Sequence, residues 1–152
     1  MQHASITAEE AADRLAIREL VEAYAYCADR RDAEGQMSLF TEDTHFVVYM
    51  NAKDPKPSQE LRSREVLAPV FADLNKYDAT THFIGQSTIL TLTADRGTGE
   101  TYCLAHHVTV EGERKRLMLA SLRYLDTFVK RDGGWLFAER QLYVDWLEER
   151  AL

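Results

Sequence analysis

The sequence predicts an α+β domain in which N-terminal helices cover a curved antiparallel sheet. Two observations lead to this prediction. The first third of the chain places apolar residues at helical spacing along a stretch free of glycine and proline. The second half consists of long β-branched and aromatic runs separated by short turn sequences. Helices first and strands afterwards favour a half-closed cone, with room for a pocket between the two layers.

The first predicted element is a long amphipathic helix. Thr7-Ala8-Glu9-Glu10 has the form of a capping box, in which a threonine and a glutamate three residues later satisfy the first amides of a helix. Apolar residues then recur at steps of three and four, and we expect the helix to end near Arg31. A second helix is predicted over residues 33–40, with Asp32 as its N-cap.

The middle of the chain predicts a strand, a loop and a third helix. Residues 45–50 are β-branched and aromatic, whereas residues 51–58 are polar and contain two prolines. Residues 63–74 return to helical spacing, although Pro69 should kink or shorten that helix. The remaining strands are predicted at residues 80–84, 88–93, 101–110, 116–130 and 135–144, with hairpin turns at 95–99, 111–113 and 132–134.

The length and composition fit one ordinary globular domain, which we place at residues 1–152. The chain is 45% apolar and 28% charged. A chain of this length buries roughly two-thirds of its unfolded surface, enough for a core and an internal pocket. The formal net charge of −7 argues against nucleic acid or an anionic membrane as a partner, because such binding depends on a basic excess.

The cysteines and the N-terminal segment predict a cytoplasmic protein. Cys27 and Cys103 form no CxxC pair, so neither a zinc ribbon nor a disulfide scaffold is indicated. The N-terminus lacks the basic flank and apolar run of an export signal. No window approaches the ~20 apolar residues that a membrane span requires.

Familiar catalytic motifs are absent from the sequence, including GxGxxG, GxxxxGK[ST], GxSxG and HExxH. His106 and His107 are adjacent in a predicted strand and should point to opposite faces, which disfavours a shared metal ion. A sparse polar set remains at positions that the pattern predicts to be buried. Its members are Tyr24, Asp29, His82, His106 and Arg140.

Each of these residues also has a purely structural interpretation. Asp29 lies in the charged stretch Ala28-Asp29-Arg30-Arg31-Asp32, where a solvated helix end with local ion pairs would explain every charge. The histidines and Arg140 could form surface or cross-strand contacts. The tyrosines could be core aromatics with a satisfied hydroxyl. Composition and spacing alone do not decide between a site and these structural roles.

The order of elements and several residue groups resemble the SnoaL-like branch of the nuclear transport factor 2 (NTF2) superfamily. This branch includes scytalone dehydratase, hexachlorocyclohexane dehydrochlorinase and bile acid dehydratases. The resemblance covers nearly the whole chain and implies an NTF2-like cone. It rests on Ile17-Arg18-Glu19-Leu20 with Tyr24 and Asp29, on Leu39-Phe40-Thr41-Glu42-Asp43, and on Tyr124 and Phe128 with Asp132-Gly133-Gly134-Trp135 and Glu139-Arg140.

The resemblance implies roles for particular residues. In dehydratase-like members an aspartate near the end of the first helix pairs with a histidine that opens the strand after the third helix, which corresponds to Asp29 and His82. Tyr24 matches a tyrosine five residues before that aspartate, and Arg140 an arginine after the Asp-Gly-x-Trp turn. His106 falls where relatives place another polar residue. Substrate-binding positions are expected at Tyr49, Tyr26, Phe46 and Leu104.

The chemistry of such a pair favours a lyase. A neutral imidazole held by a carboxylate can remove a proton beside a carbonyl or a leaving group. Together with this chemistry, the resemblance implies a cofactor-independent, dehydratase-like enzyme that acts on a small hydrophobic or polycyclic substrate and needs no metal. An isomerase or cyclase of polyketide- or steroid-like carbonyl compounds would use the same pair, and a non-catalytic binding or assembly module would use neither residue. The family also implies a homo-oligomer, dimer or trimer.

Overall fold

The computed structural model describes residues 5–152, and it confirms the predicted α+β class. Short helices and one long helix precede a meander of long strands. In chain order the elements are α1 (Ala8–Arg30), α2 (Ala33–Ser38), β1 (Phe40–Tyr49), β2 (Gln59–Arg62), a 3-10 turn (Arg64–Val66), α3 (Ala68–Ala72), a second 3-10 turn (Asp73–Lys76), β3 (Ala79–Leu92), β4 (Arg96–Glu111), β5 (Arg114–Arg131) and β6 (Gly134–Ala151).

The strands form one curved six-stranded sheet in the order β2-β1-β6-β5-β4-β3. Strands β3 to β6 pair antiparallel as an up-and-down meander, as predicted. Strand β1 pairs parallel with β6 and antiparallel with β2. The helix α1 packs against β3 and β6, so that the helices cover one face of the sheet, here called the inner face. The opposite side is called the outer face.

The boundaries of α1 follow the predicted capping signals. The Thr7 hydroxyl accepts a hydrogen bond from the Glu10 amide at 3.1 Å, which caps the first turn. At the other end Arg31 adopts a left-handed conformation with φ of 61°, and its amide donates back to the carbonyl of Ala28. This termination fixes where the side chain of Asp29 leaves the helix.

Several local predictions differ from the structure. The helix α2 ends at Ser38 rather than at residue 40, because Phe40 already pairs with Phe137 of β6. Residues 64–76 form two 3-10 turns around a five-residue helix, since Pro69 lacks an amide donor and sits in the first turn of α3. The polar edge strand β2 carries no alternating pattern and was not predicted.

The first hairpin turn is shorter than predicted, because Gly97 and Gly99 lie within β4. A Cβ atom at Gly99 would meet the ring of Phe128 at 3.1 Å and the carbonyl oxygen of Thr88 at 3.0 Å. Glycine therefore allows the Phe128 ring to pack directly on the strand backbone. The predicted strands at 80–84 and 88–93 are a single strand, β3, with a register shift between Ile84 and Ser87.

The hydrophobic core lies between α1 and the inner face and is rich in aromatic rings. Tyr24 of α1 is at its centre and makes edge-on contacts with four rings at centroid distances of 5.8 to 6.1 Å. These rings belong to Phe40, Phe71, Tyr124 and Phe137. Such pairs add specific geometry to the area they bury and fix the position of Tyr24. No helix in the described part of the chain is long and apolar enough to cross a membrane.

Candidate active site

The structure brings Asp29 at the end of α1 into direct contact with His82 near the start of β3. The carboxylate atom Oδ1 of Asp29 lies 2.7 Å from Nδ1 of His82. The backbone amide of His82 also donates to Oδ2 of Asp29 at 2.9 Å. Two contacts to one residue fix the imidazole relative to the carboxylate. With Asp29 ionised, Nδ1 carries the proton and Nε2 keeps a free lone pair.

A second pair of residues supports the carboxylate. The hydroxyl of Thr80 donates to Oδ1 of Asp29 at 2.9 Å and accepts a hydrogen bond from Nη1 of Arg31 at 2.6 Å. The same guanidinium group donates to the carbonyl oxygens of Ala28 and Tyr77. Arg31 thereby ties the end of α1 to the start of β3, the two segments that carry the Asp29–His82 pair.

The environment of Asp29 favours its ionised form. Partial burial by itself would raise the pKa of this carboxyl, but the side-chain and backbone hydrogen bonds from His82, with that from Thr80, outweigh burial and lower it. Asp29 is therefore a carboxylate at neutral pH. The side chain of His82 is only 8% exposed, so this charge acts on the imidazole with little solvent between them.

His82 lines a cavity between the helices and the inner face of the sheet, with a volume of ≈ 280 Å³. This volume is at the lower end of the range for small-molecule sites. The walls are mostly apolar, and a few polar groups converge on the interior. Its lining includes Tyr24, Gln36, Phe46, Val48, Val70, Phe71, His82, His107, Met118, Ala120, Leu122, Tyr124, Leu142 and Val144. Asp73, Lys76, Met50 and Gln59 are exposed lining residues.

A second imidazole, that of His107 on β4, faces this cavity. Its ring centroid lies 5.7 Å from that of His82 and 4.6 Å from that of Tyr77. Burial, together with the neighbouring His82, lowers the pKa of His107 to about 4, so the ring is neutral at pH 7. Its Nδ1 atom is buried and has no hydrogen-bond partner among residues 5–152. Sequence reasoning did not select His107.

Tyr24 and Tyr124 also line the cavity, and Arg140 lies behind them. The Arg140 guanidinium is completely buried and forms two 2.8 Å hydrogen bonds to Asp126 on the adjacent strand. It stacks against the rings of Tyr24, Tyr124 and Phe137 at 4.0 to 4.2 Å. Burial raises the pKa of the Tyr24 hydroxyl, which keeps it protonated and able to donate. Arg140, a candidate catalytic residue, therefore lies behind the cavity wall and is not among the residues that line it.

Four further residues that the sequence placed at the pocket lie elsewhere. His106, Leu104 and Tyr49 occupy strand positions that alternate with cavity-lining or inward-facing neighbours, so their side chains are on the outer face. Tyr49 stacks there on Tyr143 at 4.5 Å. Tyr26 is on the exposed side of α1 and is 62% accessible. Of the expected substrate-binding residues, Phe46 lines the cavity.

The residues that the structure describes contain no group of three or more histidine, cysteine, aspartate or glutamate side chains arranged to hold a metal ion. Cys27 and Cys103 are buried and unpaired with each other. Burial raises the pKa of the Cys103 thiol to about 11, so this inward-facing residue is protonated at neutral pH. It therefore lacks the thiolate character of a nucleophile.

The SnoaL-like domain matches residues 9–141, which include Asp29, His82 and His107. The chain belongs to the SnoaL-like family. The match spans most of the chain and confirms the resemblance seen in the sequence. No functionally curated protein matches the sequence.

Solved structures confirm the cone fold of this SnoaL-like protein. A proposed scytalone dehydratase from Novosphingobium aromaticivorans superposes with a TM-score of 0.80 at 20% identity, covering 97% of this chain and 93% of that one. The hexachlorocyclohexane dehydrochlorinase LinA-type3 from Novosphingobium barchaimii LL02 gives 0.72 at 19% identity, with 93% and 92% covered. The β subunit of a proposed aromatic-ring-hydroxylating dioxygenase from N. aromaticivorans gives 0.74 at 23%, with 91% and 93% covered. At these identities the likeness establishes the fold alone.

Proposed function

We propose that this SnoaL-like protein is a cofactor-independent lyase of the dehydratase type, with His82 as the general base. The observation that supports the proposal is the 2.7 Å contact between Asp29 and a histidine that lines a largely apolar cavity. A binding module has no need to hold an imidazole in one tautomer. The family includes both enzymes and binding proteins, so the function depends on the site and not on the fold.

The proposed reaction is elimination of water from a β-hydroxy carbonyl compound. Nε2 of His82 removes the proton beside the carbonyl group, and Asp29 stabilises the imidazolium that forms. Electron density moves to the carbonyl oxygen, where the hydroxyls of Tyr24 and Tyr124 donate to the developing enolate. The enolate then expels hydroxide, which takes up the proton from His82 and leaves as water, so the base is regenerated.

His107 fits the role of a neutral hydrogen-bond donor in this reaction. Since its pKa is about 4, it does not protonate the leaving group as an imidazolium at pH 7. One ring nitrogen carries a proton and can hold the substrate oxygen beside His82. A neutral donor avoids repulsion with the imidazolium that His82 becomes.

The dyad is tested with His82→Ala and Asp29→Asn on a panel of β-hydroxy carbonyl and hydroxylated ring compounds, with mass spectrometry for loss of water. We expect His82→Ala to lower kcat by roughly 10²–10⁴-fold, the usual contribution of a general base, and Asp29→Asn to lower it by about 10²-fold. Rearranged products of unchanged mass would instead identify an isomerase or cyclase. Unchanged turnover in His82→Ala would remove the proposed base.

His106 and His107 provide a matched pair of variants. His107→Ala removes a ring from the cavity and should lower kcat by at least tenfold. His106→Ala removes a ring from the outer face, where its side chain makes an exposed contact of 3.3 Å between Nδ1 and the carbonyl of Thr81. This substitution should leave kcat unchanged. Equal effects of the two substitutions would contradict a role for His107.

We also propose that copies of the chain associate through the outer face. Phe83, Leu104, Ser121 and Trp146 are successive cross-strand partners there, and Phe83 and Trp146 are 65% and 50% exposed. Phe83 and Leu104 are adjacent exposed apolar side chains, Ser121 separates them from Trp146, and large exposed apolar side chains grouped in this way are typical of a protein contact. Trp146→Glu should lower the mass measured by light scattering, whereas Leu15→Glu on exposed α1 should not. A monomeric wild-type protein would refute the association.

A further inference from the structure

Gln36 on α2 is a buried polar side chain that borders the cavity. It is 2% exposed, and the surface that remains accessible faces the cavity that it lines. Its main-chain groups are bonded to Asp32 and Leu39. Within residues 5–152 its carboxamide forms no side-chain hydrogen bond and is not fully enclosed like the unpartnered atoms of Thr41, His107 and Arg140, so it opens on the cavity. In a pocket with mostly apolar walls, the few polar groups that face the interior fix the orientation of a bound ligand.

The carboxamide and the two histidines stand on different elements. The helix α2 contacts α1, α3 and β1. His82 and His107 stand on β3 and β4, which are separated from β1 by β5 and β6. A ligand that spans the cavity from the imidazoles toward β1 therefore reaches Gln36. The neighbouring wall consists of apolar side chains, among them Val48, Val70 and Phe71.

We propose that Gln36 is a substrate-binding residue that hydrogen-bonds a second oxygen of the substrate, at the end remote from the reacting carbon. This inference rests on the proposed function for the reacting end. A carboxamide both donates and accepts, so it takes either a hydroxyl or a carbonyl group. The cavity volume of ≈ 280 Å³ favours compact mono- or bicyclic compounds, and the proposed contacts at His82 and Gln36 call for oxygen at both ends.

The first experiment asks whether Gln36 serves the fold or a ligand. Gln36→Met keeps the length of the side chain and removes an amide without partners, so the ligand-free protein should melt at the same or a higher temperature. Gln141 is a matched control, because its amide bonds Glu139 at 2.6 Å and the hydroxyl of Tyr143 at 2.8 Å. Gln141→Met should lower the melting temperature. A comparable drop in Gln36→Met would show a structural residue and overturn the proposal.

The second experiment measures binding of two unreactive probes, 2-naphthol and 2,6-dihydroxynaphthalene, by calorimetry. Wild type should prefer the diol by about tenfold, and Gln36→Met should abolish the preference, since only the diol reaches both ends of the cavity. The His82→Ala protein should lose turnover and still discriminate between the probes at Gln36. If the proposed lyase reaction is not observed, the binding measurement still tests the role of Gln36. A wild type without preference, or a variant that keeps it, would overturn the inference.

Discussion

Because side chains alternate along β4, only one of its two adjacent histidines, His107, faces the cavity. Thr80 of β3 is the register partner of His107, and Thr81 is the partner of His106. Side chains alternate between faces, so the histidine that shares a face with His82 is His107. The sequence showed that the two rings must point apart, but the register of β4 against β3 is set by packing over the whole sheet. A one-residue error in the expected facing of β4 therefore selects His106 in place of His107.

The buried ring of His107 should make stability depend on pH. Its pKa is about 4 in the folded protein against 6.5 when exposed, so between these values the unfolded chain binds more protons. Stability is therefore lost as the pH falls from 6.5 toward 4, and this residue contributes about 2 kcal/mol of the loss between pH 7 and pH 5. Urea unfolding at both pH values measures it.

Two substitutions separate this effect from the titration of other groups. His107→Gln should show a smaller decrease between pH 7 and pH 5 than wild type, because the titrating ring is gone. His106→Gln should keep the wild-type decrease, since that ring is on the outer face. A His107→Gln protein with the full decrease would place the pH dependence elsewhere in the chain.

At the scale of elements, the end of α1 and the start of β3 determine whether a site forms. The capping sequence at Thr7 and the length of the helical pattern predicted both ends of α1, and so the place of Asp29 on its last turn. Nothing in the spacing predicted that Thr80 and Arg31 hold the carboxylate, because these contacts join residues about fifty positions apart. The Asp29–His82 contact itself was expected only through the family resemblance.

The paired strands β5 and β6 hold the buried ion pair beneath the cavity. Asp126 and Arg140 are direct register partners, and both side chains are fully buried. Asp126→Leu leaves the Arg140 charge without a partner and should destabilise the fold by about 3–5 kcal/mol. Adding Arg140→Met removes that charge and should restore much of the loss. The free energy of unfolding of wild type and both variants gives the comparison. A double variant less stable than Asp126→Leu would contradict this account.

At the scale of the whole molecule, the cavity volume limits what can bind. The family resemblance is compatible with substrates from small to polycyclic, because the pocket volume depends on which side chains face inward. The sequence pattern did not show which of them do so. With Phe46, Leu122 and Tyr124 directed inward, the interior is ≈ 280 Å³. The structure therefore favours the small end of that range.

Thermal stabilisation by ligands tests this limit. A bicyclic ligand at a hundred times its Kd should add about 2.7 kcal/mol to the free energy of unfolding. For a chain of this length the corresponding rise in Tm is roughly 5–10 °C. A tetracyclic steroid at the same concentration should produce no rise, because its ring system exceeds the cavity. Equal shifts from both compounds would show that the cavity opens further than this structure shows.

The parallel pairing of β1 with β6 has a consequence for the order of folding. Residues 40–49 of β1 meet residues 137–143 of β6, so the chain must close a loop of about ninety residues before this wall exists. The meander of β3 to β5 is local and can form first, whereas contacts so distant in sequence slow folding. On the ribosome the cavity would thus be assembled only after β6 emerges. Until then the aromatic side chains of β1 lack their partners, and nascent chains are most prone to aggregate in that interval.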